Sequence, residues 1–261
     1  MVLVDKEKCI GCGLCCIDCP SKVIAMENKK ASITQDKCLR CGHCIAICPV
    51  NAFKIDEYDM SDIEEYGAKQ PHLDEKILMD SLKSRRSIRK YQKKSVEREK
   101  IEKIIEAGRY TPTGSNAQDV SYIVVEKDLA ILENEALKFY KRLVKIGGLI
   151  SRFIKLPISL EKLKLEEGFF FHGAPTVILV ISKSVSNATL AAMSMELMAE
   201  AQELGTLYVG LFTRAASKNK KIRTLLGLKK NEKIVQCIAI GYPAVKYQRT
   251  APKKKAEIQW R

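Results

Sequence analysis

The chain has 261 residues, 46% of them hydrophobic and 29% charged, with a formal net charge of +14, which is room for one large domain and a small one. No uninterrupted apolar run approaches the length of about 18 residues that a membrane-spanning helix needs. The opening Met1-Val2-Leu3-Val4-Asp5 lacks the basic, apolar and small-residue succession of a secretion signal, so a cytoplasmic protein is expected, whose ten cysteines are not a disulfide framework.

The first predicted elements are two copies of one unit. Cys9-x2-Cys12-x2-Cys15-x3-Cys19-Pro20 recurs 29 residues later as Cys38-x2-Cys41-x2-Cys44-x3-Cys48-Pro49. Each half reads strand, Cys loop with short helix, strand: residues 2–5 and 23–26 in the first, 31–34 and 52–55 in the second. Three thiolates fall in one tight loop, where Gly11, Gly13 and Gly42 let the backbone fold closely, and a fourth is held back beyond it. A structural zinc site would instead show two separated C-x2-C pairs or added histidines. The pattern resembles two-cluster bacterial ferredoxins, in which the fourth cysteine of each run ligates the other cluster. That resemblance implies one 4Fe-4S cluster on Cys9, Cys12, Cys15 and Cys48, and a second on Cys38, Cys41, Cys44 and Cys19. Cys16 falls opposite Ile45 of the repeat and reads as a small core residue, and His43 as a polar neighbour of a cluster. A module of residues 1–57 with Phe53 as its only aromatic is too small for an ordinary apolar core. The clusters are expected to supply that core, so that binding them and folding are one process.

Residues 58–73 turn acidic, with Asp59, Asp62, Glu64 and Glu65, and are punctuated by Gly67 and Pro71; they read as a linker, His72 included. The module before it carries eight Lys/Arg against seven Asp/Glu, so +13 of the formal charge belongs to the rest of the chain. Cluster-bound thiolates make the module more negative still, which favours docking of two domains of opposite sign. Nucleic acid is the other partner such a basic domain could have. It ranks behind an anionic cofactor, because the cations are scattered and no zinc-finger, helix-turn-helix or RNA-binding aromatic motif is present.

Residues 74–261 form the large domain. A helix over 74–83 leads into Ser84-Arg85-Arg86-Ser87-Ile88-Arg89-Lys90-Tyr91. By itself this basic run is an exposed charge cluster at a helix end, or a set of Arg forks and a hydroxyl suited to a phosphate. A second helix is predicted from an N-cap at Ser95 along Ile101, Ile104 and Ile105 to a stop at Gly108. Strands are predicted at 122–125, 175–181 and 234–240, the last two apolar enough to be internal, with Cys237 a buried structural thiol. Between them lies a broad, buried helix over 187–204, stopped by Gly205. His172 is expected to cap or flank the strand that follows Pro175. No G-x-G-x-x-G follows a strand, so a Rossmann domain is unsupported, and the class is α+β.

Five segments then recur in order: Arg85-Arg86-Ser87-x-Arg89, Thr111-Pro112-Thr113-Gly114-Ser115-Asn116-Ala117-Gln118, Gly173-Ala174-Pro175, Leu204-Gly205-Thr206 and Gly241-Tyr242-Pro243. This set resembles the nitroreductase family of flavin enzymes over nearly all of residues 76–255, so the whole chain looks like a ferredoxin-nitroreductase fusion with an α/β/α FMN domain. The resemblance implies that Arg85 and Ser87 hold the FMN phosphate and ribityl chain, that Arg86 is among the cofactor-binding residues, and that Arg89 reaches the pyrimidine end of the ring. Pro112, Thr113, Ser115, Asn116 and Gln118 match a loop that contacts FMN from the partner subunit of a homodimer. Val209 and Gly210 match a segment whose backbone approaches the ring, although Leu211 stands where the family often has a second Gly. Arg249 and Lys253 match a phosphate-contacting tail. Residues 136–171, with Lys141, Arg142, Lys145, Arg152 and Phe169-Phe170-Phe171, fall where the family varies and builds its substrate lid; as a basic amphipathic stretch they could instead touch lipid.

The function expected from this resemblance is passage of single electrons from a low-potential donor (ferredoxin-, flavodoxin- or NAD(P)H-linked) through the clusters to FMN. From there a hydride goes to a small acceptor such as a nitroaromatic, quinone or activated alkene. No side chain is required as acid or base. The competing reading is a non-catalytic electron carrier or redox sensor.

Overall fold

The computed structural model describes residues 1–66, 70–150 and 165–261; Gly67 and Arg152, singled out by the sequence, lie outside them. The chain divides into two units: Met1–His72 with Gly114–Ala117, and Leu73–Thr113 with Gln118–Arg261.

The small unit is built from the repeat. β1 (Val2–Val4) pairs antiparallel with β4 (Phe53–Ile55), and β2 (Ile24–Glu27) with β3 (Lys30–Ile33), so each two-stranded sheet joins or spans the two copies. The short helices α1 (Leu14–Asp18) and α2 (His43–Ala46) start at Gly13 and Gly42, whose φ values of 75° and 78° are left-handed. Only glycine adopts that conformation without a steric cost, which is why both copies of the loop keep it. The core is thin: Val2, Ile24, Ala31, Ala52, Phe53 and Ile55, together with the thiols of Cys9 and Cys15. Cys16 is half-buried against this core.

The large unit has a four-stranded antiparallel sheet in the order β5 (Ser121–Val125), β6 (Thr176–Ile181), β8 (Ile234–Gly241), β7 (Gly205–Tyr208). Every residue of β6 is buried, as its unbroken apolar run requires. Its side chains alternate between two cores. Val177 and Leu179 point to α5 (Leu129–Ile150), α7 (Gly210–Lys218) and α8 (Lys220–Leu225), through Leu132, Tyr140, Phe212 and Ile222. Ile178 and Val180 point to α4 (Arg98–Arg109) and α6 (Val185–Ala201), through Ile104, Ala192 and Met195. The result is the α/β/α layering expected, with Cys237 fully buried on β8. A remaining helix, α3 (Glu75–Ser84), is capped by Asp74 and buries none of its side chains within this chain.

Three elements differ in detail from the sequence reading. α4 begins after Glu97 rather than Ser95, and its first N–H groups, from Lys100 and Ile101, donate to the Glu97 carbonyl. Gly108 lies inside α4 instead of stopping it. A Cβ there would come within 2.6 Å of the Tyr122 hydroxyl and 3.0 Å of Met195, so the glycine is kept for close packing. α6 runs from Val185 to Ala201, a shift of two to three residues towards the N-terminus, because the Ser184 side chain accepts the Asn187 N–H and caps it. Phe170 and Phe171, from the stretch assigned to a lid, are core residues packed with Tyr140 and Phe212.

Candidate functional site

The eight cysteines of the repeat line two cavities in the small unit. One, of about 300 Å³ partly open to solvent, is ringed by Cys9, Cys12, Cys15 and Cys48. The other, of about 380 Å³ and likewise partly open, is ringed by Cys19, Cys38, Cys41 and Cys44. The chain thus crosses between loops, carrying the last cysteine of each run to the opposite cavity. All ten cysteines are free thiols, and among the described residues no group of three or more His, Cys, Asp or Glu could hold a single metal ion. The sulfurs surround a volume rather than a point. Burial, then the neighbouring Cys38 and Cys41, pushes the Cys44 thiol up to about 12. Burial, then Cys16, raises Cys15 to about 11. Cys9 goes the other way, first because the Ala31 N–H donates to its sulfur. Gathering thiolates in so small a unit is unfavourable until a cationic core compensates them.

In the large unit, four of the five ordered segments converge. The Ile88 N–H donates to the Thr206 carbonyl at 2.9 Å, Tyr91 bridges Pro243, and the Gln92 N–H donates to Tyr242. Gly205 lies against Ile88 and Pro243, and Gly241 against Pro175 and Tyr91, so closely that a Cβ on either would fall 2.3 Å or 2.6 Å from its neighbour. Residues 85–91 are therefore laid along the end of the sheet by contacts that only glycine permits.

On that frame Arg85 Nη1 donates to Glu196 Oε1 at 2.8 Å, and the Thr206 hydroxyl donates to the same oxygen at 3.1 Å. Glu196 is 4% exposed and Arg85 30%, so the ion pair is substantially desolvated. Sequence reasoning missed Glu196; its signal was a carboxylate, one of two with Glu200, in the otherwise apolar stretch of α6. Arg86 donates one Nη to the Arg85 carbonyl, while its Nη2 is buried with no partner among the described residues. A buried guanidinium N–H without an acceptor is costly and points to a ligand oxygen. Ser87 is half-buried and Arg89 exposed. His172, left-handed at φ 52°, sits in the turn before β6, and burial and then Arg89 lower its pKa. Glu133, also missed, is buried on α5 and accepts the N–H groups of Gly168, Phe170 and Phe171, fixing that turn.

Val209 is buried and caps α7, with its N–H on the Cys237 carbonyl. Gly210, the first residue of α7, has nothing within 4 Å of where a Cβ would lie. Pro112 and Thr113 begin a separate turn in which the Thr113 hydroxyl accepts the Gln118 N–H, and Ser115, Asn116 and Gln118 are all left-handed. Gly114–Ala117 groups with the small unit, where Asn116 Nδ2 donates to the Leu39 and Arg40 carbonyls at 3.0 Å each. Arg249 and Lys253 are exposed in a tail without regular structure.

Comparison with known proteins agrees with this division. Residues 82–242 match the nitroreductase family, and residues 1–49 match the 4Fe-4S dicluster domain. A Methanothermobacter thermautotrophicus protein, provisionally assigned as an NADH dehydrogenase/NAD(P)H nitroreductase, is 26% identical over 177 residues, 66% of this chain and 83% of its own. The iodotyrosine deiodinase of Hydra vulgaris is 27% identical over 194 residues, 67% of this chain and 68% of its own. Among solved structures, an FMN-bound nitroreductase from Bacteroides fragilis shares the fold, with a TM-score of 0.53 at 20% identity, covering 70% of this chain and 98% of that one. No helix among the described residues is long and apolar enough to cross a membrane.

Proposed function

This chain belongs to the nitroreductase family, and we propose that it is an FMN-dependent oxidoreductase fed through two 4Fe-4S clusters, reducing a small organic acceptor: a nitroaromatic, a quinone or an activated alkene. The observation that carries this reading is the crossing of the cysteines, Cys48 into the cavity of Cys9, Cys12 and Cys15, and Cys19 into that of Cys38, Cys41 and Cys44. Four thiolates about a volume, without a single point of convergence, suit a cubane cluster and not a zinc ion, and His43 lines the second cavity beside its four thiolates.

The residues of the large unit fit FMN. Arg86 brings a buried N–H that lacks an acceptor, Gly210 leaves open space beside the backbone, and the Arg85–Glu196 pair fixes one guanidinium while leaving its other nitrogen for a phosphate oxygen. Arg85, Arg86 and Ser87 take the phosphate and ribityl chain, with Arg249 and Lys253 as further cations. Arg89 takes the pyrimidine end, and Val209 and Gly210 the ring. Pro112, Thr113, Ser115, Asn116 and Gln118 contribute from the partner of a homodimer. Bound FMN supplies the conversion between one-electron and two-electron transfer. The protein's part is to orient, to exclude water and to place positive charge where the reduced ring becomes anionic. The donor is a low-potential ferredoxin-, flavodoxin- or NAD(P)H-linked system, and the name of the Methanothermobacter relative favours including NAD(P)H among the trials.

The test is anaerobic reconstitution with iron, sulfide and flavin quantified, followed by turnover of nitroaromatics and quinones by the photoreduced protein and by its Cys12→Ser and Cys41→Ser variants. Slower turnover in the variants at unchanged flavin content is expected. Equal rates would remove the clusters from the electron path.

A further inference from the structure

We propose that the two clusters are electrically unequal: the one held by Cys9, Cys12, Cys15 and Cys48 has the higher reduction potential, and Lys6 and Lys30 set the difference. The inference rests on the reading above that both cavities hold clusters.

The two halves of the repeat superpose at 29 residues, yet the groups around the two cavities are not equivalent. Lys30 Nζ donates to the carbonyl of the ligand Cys9, and Lys6 Nζ to the carbonyl of Ala31, whose own N–H donates to Cys9 Sγ at 3.5 Å. Both ammonium groups are thereby tethered to the backbone that wraps the first cavity, and neither is in an ion pair among the described residues. The positions matching them in the second half hold a neutral amide and an acid. Gln35, opposite Lys6, spends its side chain on the Val2 N–H and carbonyl. Asp59, opposite Lys30, accepts from Ser61. The second loop does contain Arg40, but its guanidinium is matched by Glu57 at 3.6 Å, a carboxylate that also takes the N-terminal ammonium.

Hydrogen bonds to sulfur run the same way. The first set receives two backbone N–H bonds, from Ala31 to Cys9 at 3.5 Å and from Ala52 to Cys48 at 3.3 Å. Among the described residues the second receives one, from Arg40 to Cys38 at 3.5 Å. Exposure does not separate the two sets: Cys12 is exposed but Cys9 and Cys15 are buried, and every cysteine of the second set is half-buried. Reduction adds a negative charge to a cluster, and uncompensated cations and N–H dipoles on sulfur both stabilise that charge. The cations and the N–H dipoles favour the first site, so the first electron to enter settles there, and the second site is filled only by a stronger reductant.

The experiment is an anaerobic redox titration of the reconstituted full-length protein, followed by electron paramagnetic resonance, with iron and sulfide quantified in the same samples. Two one-electron waves are expected, separated by at least tenfold in equilibrium constant, or about 59 mV for one electron. Lys30→Gln moves only the upper wave, and moves it down; Lys6→Gln moves the same wave, and Lys30→Arg leaves it in place. Coincident waves in wild type, or movement of the lower wave in Lys30→Gln, would overturn the inference while leaving the two-cluster reading intact. Iron and sulfide sufficient for one cluster or none in wild type would instead overturn that underlying reading. Should Lys30→Gln fail to take up its clusters, the wild-type separation and the Lys6→Gln shift decide the matter.

Discussion

Replacing Gly205 with alanine tests whether close packing positions the basic segment 85–89. Gly205 opens β7, and its φ is one any residue can adopt, so the obstacle is space alone. An added Cβ would lie 2.3 Å from Ile88 Cγ1, 2.9 Å from Ile88 Cβ and 3.0 Å from Pro243 Cγ. Carbon atoms in contact sit about 3.5–4.0 Å apart, so roughly 1 Å of separation is needed. Rotating Ile88 cannot supply it, because its Cβ is itself too close. Ile88 is 5% exposed and its N–H is bonded to the carbonyl of Thr206, the residue after Gly205. The two segments must therefore part, at about 1–3 kcal/mol for overpacking and about 1 kcal/mol for the weakened hydrogen bond. A loss of about 3 kcal/mol lowers Tm by roughly 6–12 °C in a domain of this size. Ser87 and Arg89 flank the displaced residue, so FMN affinity should fall with stability. Thermal unfolding of the FMN-loaded protein by circular dichroism, with flavin fluorescence reporting release, measures both. Ile88→Ala on the Gly205→Ala background removes the clashing Cγ1 and should cost less than the sum of the two single changes. A Tm within about 2 °C of wild type for Gly205→Ala, or strict additivity in the double variant, would refute the reasoning.

Gly210→Ala meets no atom within 4 Å of the new methyl, so the FMN-free protein should hold or gain about 0.4–1 kcal/mol in thermal unfolding, while a fluorescence titration shows FMN binding weakened by about tenfold or more. Glu196→Ala strips the buried partner from Arg85 and Thr206; because Arg85 is 30% exposed, the loss should be about 2 kcal/mol, below the usual cost of breaking a buried pair, and urea unfolding reads it. Burial and Arg89 together hold the His172 imidazole below 6.5, against the opposing pull of Glu133. The native protein therefore takes up that proton at lower pH than the unfolded chain, so its contribution is full above pH 6.5 and declines as pH falls below it. His172→Gln should flatten that acid limb in Tm measured against pH. Stripping iron with a chelator should abolish the structure of residues 1–57, seen as protease cleavage there, while the large unit keeps its circular dichroism signal; intact resistance to protease would contradict the coupling of folding to cluster binding.

The stretches read most readily from sequence were those whose determinants are local. Cysteine spacing and the left-handed glycines at 13 and 42 lie within single loops, and the isoleucine stripe of α4 repeats within single turns. The helix boundaries were less legible, because Ser95 has the chemistry of a cap yet Glu97 holds the capping position, and nothing near them in sequence separates the two. β7, α7 and α8 were not read at all, being short and without a distinctive period.

By itself the sequence determined that eight thiolates would gather near the amino terminus, that β6 and β8 would be internal, and that an arginine cluster would stand beside a helix. Those are matters of spacing and periodicity, fixed by covalent geometry over a few residues. Only the tertiary structure decided that the sheet is antiparallel, that Glu196 meets Arg85 from 111 positions away, and that Lys30 rather than its counterpart Asp59 attends a cysteine loop. Such pairings depend on which surfaces fit when distant segments pack. That fit is a property of shape and buried charge in three dimensions, and the order of residues along one chain does not display it.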